Sequence, residues 1–224
     1  MPPSKQKIEH INQELIKIQD EIRDFFGWNL SDDLHSTEKL LYKINNSNID
    51  SWKKSNRKKI LFDIIEQMNS TENKIVIIGA AATSLEIIKI LENNNFFVLA
   101  DGAGAVFSTL DDKLEQEAWA RSLCVISDGD GGKGLTQAIQ KNIPLILHAH
   151  GDNVASWTNI IDYILSKGIE TKIVLTHQLP KGIDGMYNFG GFTDGDRAVC
   201  FVHSTGVPKE RIVMVGTRTD IVGK

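Results

Sequence analysis

With only two cysteines among 224 residues, the chain has too few to build a disulfide framework. Cys124 and Cys200 each stand in an apolar run without CxxC spacing, which reads as buried thiols in a reducing cytoplasm. Long hydrophobic runs are missing too. None approaches the ~18–20 residues of a membrane span, and "MPPSKQKIEH" has no signal-peptide-like apolar stretch. A cytoplasmic protein with no membrane partner is expected. Nor is there a surplus of positive charge: the formal net charge is -4, whereas a nucleic-acid partner would require a basic face for its phosphates. No internal repeat is present. What remains is ordinary for a globular chain, 41% apolar and 24% charged.

The first seventy residues differ in texture from the rest, and we divide the chain into an N-terminal helical region (1–70) and an α/β catalytic domain (71–224). In "KIEHINQELIKIQDEIRDFF", Ile8, Ile11, Leu15, Ile18, Ile22 and Phe25 recur at spacings of three and four, the stripe of an amphipathic helix. The stripe fits a short heptad pattern, so the helix either docks on the main domain or pairs with a symmetry mate as a homodimer. Gly27 ends it. "STEKLLYKI" carries a capping-box pattern that sets Ser36 or Thr37 near a helix start. A third helix is expected over "WKKSNRKKILFDIIEQM", with Lys53, Lys54, Arg57, Lys58 and Lys59 as a solvated face.

From residue 74 short apolar runs alternate with helical patterns. The runs are "KIVIIG" (74–79), "FFVLA" (96–100), "LCVIS" (123–127), "IPLILHA" (143–149), "KIVLT" (172–176) and "RIVMVG" (211–216). Continuous Val, Ile and Leu signal strands covered on both faces, hence a doubly wound, mostly parallel α/β sheet of Rossmann-like type. Such sheets bind ligands beyond the carboxyl ends of their strands.

Polar clusters fall at those ends. "FFVLA" delivers Asp101. "LCVIS" delivers Asp128 and Asp130 within "SDGDGGKG". "IPLIL" delivers His148, His150, Asp152 and Asn153 within "HAHGDN". In extended chain Asp128 and Asp130 project to one side, about 6–7 Å apart. Two carboxylates about 6 Å apart repel by roughly 3 kcal/mol at an effective dielectric near 20. Lys133 is the one basic residue in these three clusters, so a divalent cation is the expected remedy. Carboxylates without a Cys/His cage suit Mg²⁺. The bland readings stand beside this one: an Asp-Gly after a strand is common turn chemistry, and Asp152 or Asn153 could cap the helix starting at Val154. "GDGGKG" is no P-loop, and its glycines serve loop flexibility as well as phosphate approach. His148 and His150 alternate toward one face without a third soft ligand, which favours hydrogen bonding over zinc ligation.

The last cluster is "NFGGFTDGDRA" (188–198). Thr193 and Asp194 precede a helix over "RAVCFVHSTG", whose N-terminus attracts anions. Arg197 is placed to pair with phosphate, Asp194 or Asp196. Gly190 and Gly191 permit close backbone approach. Phe189 and Phe192 either flank a flat ring or pack beneath the loop.

The succession of ADGA (100–103), SDGDG (127–131), HAHGDN and NFGGFTDGDRA resembles the archaeal 6-hydroxymethyl-7,8-dihydropterin pyrophosphokinases, whose catalytic domain is similar to that of thiamin pyrophosphokinase. The resemblance spans roughly residues 74–216. It implies Mg²⁺-dependent transfer of diphosphate from ATP to the hydroxymethyl group of 6-hydroxymethyl-7,8-dihydropterin, releasing AMP, in folate- or methanopterin-type pterin biosynthesis. By the same resemblance Asp101, Asp128 and Asp130 hold metal, and Asp128, Asp130, Asp152, His148 and His150 are the catalytic set. Lys133, Asn153, Gly190, Gly191, Thr193, Asp194, Asp196 and Arg197 bind substrate or ATP. Two stretches depart from the pattern. "GAAATSL" (79–85) lacks the second glycine and the proline of a GxGPSL-like loop, and "GTRTD" (216–220) replaces a GMDF-like stretch, with Asp220 as the substitute carboxylate. Rival readings are a thiamin diphosphokinase-like enzyme, a flagellin-type sugar transferase and a nucleotide-sensing module.

Overall fold

The computed structural model describes residues 13–218. In chain order the elements are α1 (Gln13–Phe26), α2 (Leu30–Asn45), α3 (Lys54–Asn69), β1 (Ile75–Ile78), α4 (Ser84–Leu91), β2 (Phe96–Ala100), α5 (Asp112–Ala120), β3 (Ser122–Ser127), α6 (Gly132–Gln140), β4 (Leu145–Ala149), α7 (Val154–Lys167), β5 (Ile173–His177), α8 (Asp194–Ser204) and β6 (Ile212–Val215). A 3-10 helix, Asp101–Thr109, links β2 to α5. Among the described residues the strands form one six-stranded sheet, ordered β5-β4-β3-β2-β1-β6, and every pairing is parallel. The doubly wound α/β expectation holds.

The strand order explains the layering. From β1 to β5 the chain steps one way across the sheet, and right-handed crossovers then put α4 to α7 on a single face. The return from β5 to β6 runs the other way and puts α8 on the opposite face. Side chains alternate accordingly. Val76 and Ile78 join the cluster containing Trp119, Leu135 and Trp157, while Ile75 and Ile77 join the one containing Phe201 and Val202. Both faces being covered, each strand reads as an unbroken apolar run.

The N-terminal helices cover both faces too. Leu40 and Ile44 of α2, with Trp52, belong to the first cluster, and Ile60, Leu61, Ile64 and Met68 of α3 to the second. Trp52 is fully buried, its indole N–H donating to the Thr171 carbonyl at 2.8 Å. No helix among the described residues is long and apolar enough to cross a membrane.

Three local expectations need correction. The buried stripe of α1 is Ile16, Gln19 and Arg23, whereas Ile18 and Phe25 are 47% and 83% exposed. Polar Gln19 and Arg23 face inward because buried loop carbonyls and a carboxylate await them there. Ile8 and Ile11 lie outside the described residues. The second helix begins at Leu30, with Asn29 at the N-cap position but making no side-chain cap bond, so Ser36 and Thr37 are buried in its interior. Ser36 is there because its hydroxyl bonds Asn153 at 3.2 Å. Within the basic run, Lys54 and Lys59 face solvent and pair with Asp184 and Asp63. Arg57 is 1% exposed and donates to the Trp52 and Gly185 carbonyls.

Candidate active site

Each strand end delivers its acidic cluster by a distinct backbone device. Asp101 leaves β2 with φ +52, a left-handed turn that aspartate tolerates better than most residues. Its carboxylate accepts from Ser127 Oγ at 2.6 Å, and that oxygen in turn accepts from the Gly129 N–H at 2.9 Å. The Asp128–Asp130 segment is not extended: β3 ends at Ser127 and Gly129 turns with φ +102. Asp194 arrives from across the sheet as the first residue of α8. The outcome is that Asp101, Asp128, Asp130 and Asp194 each offer an oxygen within 4.8 Å of the others. Asp194, expected from the resemblance to bind substrate or ATP, also stands with the three expected metal carboxylates; it sits 93 residues after Asp101, and nothing local marks it as a fourth member.

The glycines around this cluster bring backbones together. A Cβ on Gly102 would lie 2.3 Å from the Gly131 carbonyl oxygen, and one on Gly134 would lie 1.9 Å from that of Gly102. The loop after β2 and the start of α6 therefore touch main chain to main chain. Close packing accounts for Gly129, Gly131 and Gly134 of "GDGGKG" without a phosphate, and Gly132, with open space around it, is needed for its φ of +53.

Crowding shows in the acidities. Burial, then the nearby Asp128 and Asp101, push Asp130 up to about 6. Burial and the same two neighbours push Asp194 up to about 7, against the pull of Arg197. Asp101 is raised chiefly by burial. Burial also acts upward on Asp128, but its hydrogen bond to His150 and the charge of Arg197 hold it below the ordinary value. Asp128 Oδ1 is buried without a hydrogen-bond partner. Four hard oxygen donors, mutual repulsion and one orphaned carboxylate oxygen fit a divalent cation of the Mg²⁺ kind.

The cluster opens into a cavity of about 460 Å³. Asp128, Asp130 and Asp194 border it with His150, Asp152, Thr193 and Arg197, and an aromatic wall comes from the α1–α2 corner. Trp28 stacks on Phe192 at 5.5 Å with planes 8° apart, and on Phe26 at 4.7 Å. Trp28, Asn29, Asp32 and Asp33 escaped the sequence reading, because the helical region gave no chemical signal of its own. The packing of α2 onto β4 and α7 brings them here.

His150 is held between carboxylates, Nε2 at 3.0 Å from Asp128 and Nδ1 at 2.6 Å from Asp152, the latter 89% exposed. Asn153 does not cap α7 with its side chain. Its Oδ1 accepts from the His150 N–H at 3.0 Å, and its Nδ2 donates to the Asp128 and His148 carbonyls at 2.9 and 2.7 Å. One amide thus ties the "HAHGDN" loop to the end of β3. Asp33, 4% exposed, braces the loop from behind: it accepts from the Gly151 N–H at 2.7 Å, from Gln178 Nε2 and from Arg23 Nε.

The remaining candidates spread outward. Arg197, 6% exposed, donates to Asp194 at 2.9 Å and lies 4.0 Å from Asp128. Thr193 and Asp196 form the capping box of α8, which occupies Asp196 with the Thr193 backbone. Gly190 and Gly191 adopt φ +83 and +80 against α1, where the Gly191 carbonyl accepts from Gln19 at 2.8 Å. Lys133 is exposed in the first turn of α6. His148, 2% exposed, sits a layer below His150 and contacts Thr176 Oγ1 at 3.0 Å. The "GAAATSL" loop enters α4 through a Thr83–Glu86 capping box. Asp220 lies outside the described residues.

Three curated archaeal proteins align with this chain, each named 6-hydroxymethyl-7,8-dihydropterin pyrophosphokinase. The Pyrococcus furiosus protein is 32% identical over 167 residues, 72% of this chain and 63% of its own length. That of Methanocaldococcus jannaschii is 28% identical over 188 residues, 81% and 69%. The chain resembles the archaeal pterin pyrophosphokinases. A third relative, from Methanothermobacter thermautotrophicus, is 26% identical over 156 residues, 68% of this chain and 60% of its own. This chain therefore spans somewhat under two thirds of the Pyrococcus and Methanothermobacter proteins. No family model matches the sequence.

Proposed function

We propose that this chain transfers diphosphate from ATP to the hydroxymethyl group of 6-hydroxymethyl-7,8-dihydropterin, yielding AMP and the pterin diphosphate. The observation that carries the reading is the convergence of four carboxylates within 4.8 Å, three of them bordering a cavity that also holds an aromatic wall. Asp101, Asp128, Asp130 and Asp194 would hold Mg²⁺. When bound, the cation screens polyphosphate charge and polarises the phosphorus under attack. Arg197 presents its guanidinium to the polyphosphate from beside Asp194. The flat acceptor lies against the Trp28–Phe192 wall, its hydroxymethyl group toward His150 and Asp152. These two orient the hydroxyl and take up its proton as the new O–P bond forms and AMP departs. His148 supports the loop from beneath.

The test is ATP turnover with Mg²⁺ and candidate acceptors, scored for AMP against ADP. AMP release that depends on reduced hydroxymethylpterin and ceases on chelation supports the reading. Release of ADP, or of AMP with thiamin alone, rejects it.

A further inference from the structure

Behind the large cavity lies a second, of about 10 Å³, bordered by His148, Thr176, His177, Gly190, Arg197 and Phe201. Three buried ring or guanidinium nitrogens without a hydrogen-bond partner belong to its walls: His148 Nε2, His177 Nε2 and Arg197 Nε. The three side chains are 2%, 1% and 6% exposed. Three orphans on the walls of one hole are costly to leave unanswered, since a buried polar group without a partner forfeits its hydration.

Proton bookkeeping identifies what fills the hole. The Leu179 N–H donates to His177 Nδ1 at 3.0 Å; a backbone amide can only donate, so the proton of a neutral His177 is on Nε2. Burial keeps that ring neutral, its pKa lowered to about 4. Arg197 Nε–H is always a donor. On the third side, the Thr176 hydroxyl lies 3.3 Å from the Leu147 carbonyl and 3.0 Å from His148 Nδ1; we assign its proton to the carbonyl and the His148 proton to Nδ1. His148 Nε2 then carries a lone pair. Two donors and one acceptor facing a hole of one probe sphere match a water and mismatch a halide, which would face the His148 lone pair.

We propose that this cavity holds one ordered water, accepting from His177 and Arg197 and donating to His148, and that through it His177 positions the Arg197 guanidinium beside Asp194. Arg197 borders both cavities: its Nη1 reaches the acidic cluster and its Nε reaches the water. The kinetic part of this inference rests on the proposed function; the water itself does not.

The first test is structural: a crystal structure at about 1.5 Å after a bromide soak, and ¹⁵N spectra of the histidine rings. A water oxygen within hydrogen-bond distance of all three nitrogens, with His177 protonated at Nε2 and His148 at Nδ1, is expected. An anomalous bromide peak, an empty cavity or a proton on His148 Nε2 overturns the proposal. The second test separates the two ends of the His177 ring. His177→Asn keeps an acceptor for the Leu179 N–H and loses the distal donor, while His177→Gln keeps the distal donor and loses that acceptor. We expect the Asn variant to melt near the parent temperature yet raise the KM for ATP about fivefold or more, with the KM for the pterin unmoved. The Gln variant should melt lower and retain the KM for ATP. Equal ATP kinetics in both variants would overturn the positioning role. Absence of pterin-dependent AMP in the parent protein would instead sink the proposed function and leave the first test intact.

Discussion

Two carboxylate sites on one rim of the sheet solve opposite problems. Asp33 is alone, 4% exposed, and surrounded by donors from Arg23, Gln178 and Gly151. Asp101, Asp128, Asp130 and Asp194 are crowded, share Arg197 as their adjoining cation, and leave one buried oxygen unanswered. The first arrangement is complete as it stands and braces a loop. The second is complete only with an added positive charge. A structural carboxylate is recognised by saturation and a cation-seeking one by deficit, even where both descend from the same residue type.

Mutating each group should break the comparison in opposite directions. Asp33→Ala leaves Arg23 with Asp20 as its remaining carboxylate, and we expect the urea-derived stability to fall by about 3 kcal/mol, as for other broken buried pairs. A loss under about 1 kcal/mol would show that the brace is ornamental. Asp128→Asn should lower AMP-forming turnover by about a hundredfold or more, and the metal-free protein should melt slightly lower than the parent, because His150 and Arg197 hold Asp128 ionised in the fold. Unchanged turnover would remove Asp128 from the cation site. Between the two groups stands the aromatic wall. Trp28→Ala should raise the KM for the pterin about tenfold and leave that for ATP in place, the scale of one lost stacking contact. An equal rise in both would assign the wall to the nucleotide.

The smallest effect is on pH dependence. Asp130 and Asp194 titrate near 6 and 7 in the fold, against an ordinary 3.8. Between about pH 4 and 7 the folded state therefore binds more protons than the unfolded one, and their contribution to stability is lost as pH rises through that window. Asp128, held low, opposes part of this trend. Because a cation needs the ionised forms, Mg²⁺ should raise the melting temperature by more at pH 8 than at pH 5. Equal shifts at both pH values would separate Mg²⁺ from these carboxylates.

The alternation of apolar runs with helical patterns was legible because each strand is buried on both faces and helices follow with 3.6-residue periodicity. The strand-end rule then located Asp101 and Asp128. Asp194 was legible as part of a motif but not as a partner of Asp101, since only the crossover from β5 carries α8 over the ends of β3 and β2. Trp28 and Asp33 were invisible for a related reason. A helix that buries Gln19 and Arg23 in place of isoleucines breaks the hydrophobic pattern at the point where it meets the site. Asn153 looked like a cap because Asn before a helix usually is one; here its amide had four backbone and side-chain partners competing for it.

The bare contact among Gly102, Gly131 and Gly134 acts as a ruler. It fixes the gap between two charge-bearing loops by the thickness of polypeptide itself. A methyl on Gly102 or Gly134 would meet main chain and prise the loops apart, whereas one on Gly131 would strike Asp101 Oδ1 at 2.5 Å.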